Sequence, residues 1–186
     1  MNITFNSQHY LYHGTIDLYG DLIKQKGIHI IQRTNNGVDF GSGFYLSSND
    51  KELAIRTAIR RTEKTPPPSD EVLKLLGMNR LQFLVERNKK GFKPVLLKFQ
   101  INDYEVWNTK KHLQFCIDNE NWQKHVWEWR HKNGVPQIDT TFGPVADNGL
   151  RGTSHLEILA IQNANQIAIH NQETANLLTL MEVIPC

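Results

Sequence analysis

Cysteine is nearly absent from this chain of 186 residues, which has only Cys116 and Cys186. They lie far apart, and neither a disulfide framework nor a CxxC zinc pattern can be drawn from them. A reducing compartment is the simplest expectation. Long apolar runs are missing too. The first residues, Met1-Asn2-Ile3-Thr4-Phe5-Asn6, hold no basic stretch followed by an apolar one, so no signal peptide or membrane span is expected. A cytoplasmic site of folding follows, although delivery by a specialised secretion system would leave no such mark. Charge of one sign is not in excess: 21 Lys+Arg against 19 Asp+Glu give a formal net charge of +2. That balance permits an anionic partner without arguing for one. No HExxH or similar ligand spacing occurs, so no metal is expected. With no repeat, low-complexity tract or linker, and 39% hydrophobic residues, the composition fits one ordinary core and a single domain over residues 1–186.

The patterning that is present predicts strands at both ends and helices between. Residues 9–13 read as a short buried strand, and residues 17–26 as a helix capped by Gly27. Residues 28–31 read as a second short strand, and Asn35-Asn36-Gly37 as a turn. Residues 44–47 read as a strand. A helix follows to about residue 62, with Asn49 as its cap and Glu52 in capping-box position. Thr65-Pro66-Pro67-Pro68 is a hard break. Ser69 opens a further helix that Gly77 divides, with Val72, Leu73, Leu76, Leu81, Phe83 and Leu84 as apolar positions. Residues 94–101 alternate as a strand, with Val95, Leu97, Phe99 and Ile101 on one face. Residues 103–107 are expected to continue the sheet and residues 109–132 to be helical. The last third is expected to hold strands at 138–145, 155–162 and 166–170, then a helix from 172 to about 181 capped by Asn171. Partial segregation of helices and strands favours an α+β fold with a mixed or antiparallel sheet.

Three segments carry the chemistry. Tyr12-His13-Gly14-Thr15 lies near the start. Asp39-Phe40-Gly41-Ser42-Gly43-Phe44-Tyr45-Leu46-Ser47 is a tight glycine loop that opens into a strand. Asn165-Gln166-Ile167-Ala168-Ile169-His170 lies near the end. Gly41 and Gly43 suit positive φ and close approach of backbone to a ligand, and Tyr45 sets an amphipathic ring beside that point. The loop is not a Rossmann fingerprint: it has no third glycine two residues on, and it enters a strand where a dinucleotide fold needs a helix.

Taken together and in this order, the segments resemble the ADP-ribosyltransferase fold, in the branch that contains diphtheria toxin and the poly-ADP-ribose polymerases. That branch carries a His-Tyr-Glu triad on three separate strands of a split sheet. The matching positions here are His13, Tyr45 and Gln166. Phe142-Gly143-Pro144-Val145-Ala146-Asp147-Asn148, with Ile138-Asp139 and the helix around residues 127–130, resembles a bacterial subgroup of the fold. The resemblance implies transfer of ADP-ribose from NAD+ to a protein or nucleic-acid acceptor, with no metal. It implies that His13 binds the adenosine-side ribose, that the Gly14 backbone holds the nicotinamide carboxamide, and that Tyr45 stacks on the nicotinamide ring. Thr15, Gly43 and Ser47 join these as cofactor-binding positions. Gln166 departs from the usual glutamate. It removes a negative charge but keeps a carbonyl that accepts a hydrogen bond from a ribose hydroxyl. Single transfer therefore fits better than chain growth. Asp147 is a candidate to deprotonate the acceptor, with Asp139 and Glu157 behind it, and Arg130 is a candidate partner for an NAD phosphate.

Each residue also has a plainer reading. His13 alone reads as a strand-end histidine, Tyr45 as a core tyrosine, Gln166 as a solvated strand start and Asp147-Asn148-Gly149 as a turn. Arg56, Arg60 and Arg61 with Lys64, and Lys89, Lys90 and Lys93, read as solvated helix faces or as a path for RNA or DNA. Trp122, Trp127 and Trp129 fit base stacking or a helix core equally. Small members of the resembled fold act as bacterial toxins, in toxin–antitoxin pairs with an antitoxin or immunity partner, in phage defence or as effectors. Three functions are thus expected in turn: a mono-ADP-ribosyltransferase, a non-catalytic NAD- or ADP-ribose-binding module, or a structural interaction protein.

Overall fold

The computed structural model describes residues 5–6, 8–31, 38–48, 50–63, 65–132, 134–147 and 153–186. Its elements run β1 (Leu11–Ile16), α1 (Asp17–Lys26), β2 (Phe44–Ser48), α2 (Lys51–Glu63), α3 (Asp70–Leu76), α4 (Arg80–Lys90), β3 (Pro94–Ile101), α5 (Tyr104–Asn108), β4 (His112–Gln114), α6 (Glu120–His131), β5 (Thr140–Ala146), a 3-10 turn (His155–Glu157), β6 (Ala160–Ile169), α7 (Gln172–Ala175) and β7 (Leu178–Pro185). The fold is α+β, with one open seven-stranded mixed sheet in the order β4-β5-β6-β2-β1-β3-β7. Every pairing is antiparallel except the parallel β4–β5 pair. Among the described residues, no helix is long and apolar enough to cross a membrane.

Alternation decides how the sheet is covered. On one face Leu11, Leu46, Val95, Leu97, Phe99, Ile101, Phe142, Ile167 and Ile169 join Trp107 in a core that spans both ends of the sheet. On the other face the cover is divided. α2 lays Ala54 against Tyr12 and Leu96, while α6 lays Trp122 and Val126 against Phe40, Ala146 and Ala168. The sheet is narrowest between these two covers. Among the described residues, β1 and β2 pair at Leu11–Ser48 and Tyr12–Ser47, whereas β1 and β3 pair along the whole of β1.

Several expectations change. The strand expected at 28–31 is irregular: the Ile30 amide donates to Gln172 Oε1 at 3.0 Å. The stretch expected to continue the sheet at 103–107 instead turns into α5, because the Asp103 carboxylate accepts from the Val106 amide at 2.9 Å and caps the helix. The helix expected over 109–132 is two elements, β4 and α6, with Asn119 capping the second. Residues 155–162 open as a 3-10 turn, and β6 runs unbroken through Gln166. The last helix ends at Ala175, and the chain returns as β7, which pairs with β3. Here the apolar pattern of residues 178–184 served a strand as well as a helix. Leu81, expected to face inward, is 70% exposed, while Leu73 and Phe83 are buried. Gly77 divides α3 from α4 in the left-handed region, as its position suggested. The expectations at Asn35, Asn36, Gly37, Asn49, Lys64, Asn148 and Gly149 fall outside the described residues. At the start of α2 the Asp50 side chain accepts from the Leu53 amide at 3.1 Å, which is the bond an N-cap makes.

Candidate functional site

A cleft of about 120 Å³ opens where β1 and β2 part. His13, Gly14, Tyr45, Ser47 and Gln166 all line it, together with Val145 from β5 and Leu53, Ala54, Thr57 and Arg61 from α2. Five positions expected from three distant segments therefore meet. The sheet order explains why: β6 pairs with β2 through Ser47–Gln166 and Tyr45–Ala168, and β1 adjoins β2 on the far side.

His13 crosses the gap. Its Nδ1–H donates to the Tyr45 carbonyl at 2.6 Å, and its ring stacks on Phe44 at 4.3 Å. The side chain stitches the sheet just beyond the last rung of the β1–β2 ladder. Gly14 is tightly approached from α2. A Cβ there would sit 1.7 Å from the Ala54 carbonyl oxygen, so glycine is required for the helix to lie this close. Tyr45 is clamped to its own loop. Its hydroxyl donates to the Gly41 carbonyl at 2.7 Å and accepts from the Phe40 amide at 2.9 Å. The ring is thereby held as a wall of the cleft. Ser47 Oγ donates to the Asp50 carbonyl at 2.6 Å and tightens the turn into α2.

The glycine loop differs from its expected form. Gly41 has φ +81°, but Gly43 is not among the residues of positive φ. A Cβ on Gly41 would meet the Trp129 ring at 2.6 Å, and one on Gly43 would meet the Ile169 carbonyl at 2.7 Å. Both close approaches are to protein, so Gly43 shapes the loop against β6 and does not line the cleft. The loop is also tied from behind. His170 Nδ1–H donates to the Ser42 carbonyl at 2.8 Å, and its Nε2 accepts from Thr141 Oγ1 at 2.9 Å. Burial lowers the His170 pKa, which favours the neutral ring this pair of bonds requires.

The decisive residue behind the cleft is Asp39. Its Oδ1 pairs with Arg130, at 2.7 Å from one terminal nitrogen and 2.9 Å from Nε. Its Oδ2 accepts from the Ala146 amide at 3.0 Å and from Gln166 Nε2 at 2.6 Å. Arg130 also donates to the Ala146 carbonyl at 3.0 Å. Both charged side chains are more than nine-tenths buried. A carboxylate only accepts hydrogen bonds, so the Gln166 amide must turn its NH2 toward Asp39. Its carbonyl Oε1 is then the atom left to meet a donor in the cleft. A glutamate at this position would set two carboxylates within hydrogen-bond distance, which disfavours the charged pair.

Four expected residues are placed elsewhere. Arg130 is buried against Asp39 and does not face a ligand phosphate. Thr15 is fully buried and accepts from Arg61 at 3.4 Å. Gly43 packs on β6. Asp147 lies exposed just past the end of β5, where its amide donates to the Leu159 carbonyl at 3.0 Å, and it does not line the cleft. The two weaker acid candidates are structural. Asp139 accepts from the Lys111 amide at 2.6 Å and from Asn171, and Glu157 accepts from Thr153 within its own turn. Trp122 and Trp129 are buried in the packing of α6.

Sequence reasoning gave Asp39 no role and read Arg61 only as part of a basic helix face that could flank the cleft. The chain matches no family model, no curated protein and no solved structure. The cleft must therefore be read from its own chemistry. Among the described residues it holds a ring wall, a histidine anchored through Nδ1, an amide carbonyl of fixed direction and the Arg61 cation.

Proposed function

We propose that this cleft binds NAD+ and that the protein is a mono-ADP-ribosyltransferase acting on a macromolecular acceptor, as a bacterial toxin or phage-defence effector would. The observation that carries this reading is the meeting of His13, Tyr45 and Gln166, from three strands, on one cleft. The order of strands about the narrow β1–β2 join supports the ADP-ribosyltransferase type of sheet.

In this reading Tyr45 stacks on the cationic nicotinamide ring, to which an aromatic face is attracted. Gln166 Oε1 accepts a hydrogen bond from a hydroxyl of the reacting ribose. His13 holds the second ribose. The cleft takes the nicotinamide end, and the rest of the dinucleotide lies along its rim. The bond from ribose C1′ to the nicotinamide nitrogen breaks, and nicotinamide leaves as a neutral molecule. The acceptor nucleophile bonds to C1′ and gives up its proton. The protein contributes position and fixed dipoles around the developing positive charge. The amide of Gln166 stabilises that charge less than a carboxylate does, which favours one slow transfer per acceptor. The same neutrality supports a second reading, a module that binds NAD+ or ADP-ribose without turnover.

Incubation of the pure protein with labelled NAD+ and cell lysate tests both. Label removed by protease or by nuclease identifies a protein or a nucleic-acid acceptor. Binding without label supports the module, and no binding of NAD+ or ADP-ribose rejects both readings. His13→Ala and Tyr45→Ala should each lower transfer at least about 100-fold, as expected when a reacting group loses its position. Full activity in either folded variant rejects the site.

A further inference from the structure

The cleft holds a charge that the roles above do not use. Among the described residues, Arg61 is the one permanently charged side chain that lines it, and no carboxylate does. Leu53, Thr57 and Arg61 recur every fourth residue along α2, so they share the face turned to the cleft. Arg61 lies two turns beyond Leu53, about 12 Å along the helix axis. One terminal nitrogen of its guanidinium reaches Thr15 Oγ1 at 3.4 Å. Thr15 stands two residues past His13 on β1, about 6.6 Å further along the strand. The cation is thus displaced from His13 along the wall that α2 and β1 share, and the side chain is half-buried there. A half-buried guanidinium in a cleft without acids favours an anionic ligand group, and its fork matches phosphate oxygens two at a time. We infer that Arg61 binds the pyrophosphate of the dinucleotide, the position that the burial of Arg130 leaves to another residue.

This inference rests on the dinucleotide reading of the cleft, and its test separates the two. Wild type, Arg61→Gln, Arg61→Lys and Arg56→Gln are titrated by calorimetry with NAD+, ADP-ribose and nicotinamide, and each is melted to confirm folding. Arg56 is exposed on the same helix and does not line the cleft. Arg61→Gln should weaken NAD+ and ADP-ribose about tenfold or more, the usual worth of a charge-assisted bond, and leave nicotinamide binding unchanged. Arg61→Lys, which keeps the charge without the fork, should lie between, and Arg56→Gln should match wild type. Wild type that binds none of the three rejects the reading of the cleft and this inference with it. Wild type that binds, with a folded Arg61→Gln equal to it for ADP-ribose, rejects the inference alone. Equal loss of nicotinamide and ADP-ribose also rejects it, because the side chain then supports the fold and not the anion.

Discussion

On one side of the cleft, β1, β3 and β7 are joined by long antiparallel ladders, and Val95, Leu97, Phe99 and Ile101 fill the space beneath them. On the other side, β2, β6 and β5 enclose Asp39, Ser42, Arg130, Thr140, Thr141 and His170, all buried. The first half is held by area and volume, so its tolerance of change is graded by methylene groups. The second adds to its apolar packing two buried polar clusters, around Asp39 and around His170, in which removing one member strands its partners. The residues expected to do chemistry stand on both banks. The polar half alone aims a functional group, through Asp39 and the Gln166 amide.

The contrast is broken most sharply at Asp39. Asp39→Ala leaves the Arg130 guanidinium buried without its carboxylate and should cost about 3–5 kcal/mol, read as a loss of stability in urea. A cost under about 1 kcal/mol would show that water reaches the pair and that the network is ornamental. In the apolar half, Leu97→Ala should cost about 2–5 kcal/mol by cavity formation. It should leave NAD+ affinity in the folded fraction unchanged, whereas Asp39→Ala should lower it. Gln166→Glu sharpens the comparison further. It exchanges the donor facing Asp39 for a second carboxylate and should cost about 1–3 kcal/mol at neutral pH. The deficit should shrink in acid, because the introduced carboxyl, once protonated, can donate the same bond. A variant as stable as wild type at neutral pH would show that Asp39 does not dictate the amide.

The smallest effect is a slope. His125 lies against Phe115 and Phe40, and burial lowers its pKa to about 4 from an ordinary 6.5. Burial lowers His170 as well. Between pH 6.5 and about 4 the unfolded chain therefore binds more protons than the folded one. The stability these neutral rings contribute is complete above about pH 6.5 and is lost as pH falls toward 4. Melting temperature should drop over that window, and His125→Gln should flatten part of the drop. An unchanged slope would place the acid sensitivity elsewhere.

The two halves were also unequally legible. The Pro94–Ile101 strand is visible from alternation alone, because one face meets a continuous apolar core. The Asp17–Lys26 helix is visible from its apolar face and terminal glycine. The helix expected from 172 to about 181 overruns into the first residues of β7, because a half-exposed edge strand of eight residues leaves little periodicity to read. His13, Tyr45 and Gln166, which line one cleft, are legible as a group because they lie in short ordered motifs. Their neighbours misled where a side chain's partner lies far away in the chain. Arg130 is 91 residues from Asp39, and nothing local to either marks them as a buried pair. A glycine spacing says that something comes close, but not whether it is a ligand or, as for Gly14 and Gly41, a helix or a tryptophan ring.

The network also sets an order of events during synthesis. Asp39 leaves the ribosome 127 residues before Gln166, and Ser42 leaves 128 before His170. At about 5–20 residues per second the glycine loop waits roughly 6–25 s for the strand that completes it. Until then β2 lacks its β6 neighbour, and the carboxylate of Asp39 has no amide to aim. A nascent chain stopped before residue 160 carries both the His13 and Tyr45 segments but not the Gln166 wall of the cleft. Any activity toward NAD+ would be withheld from incomplete molecules by topology alone.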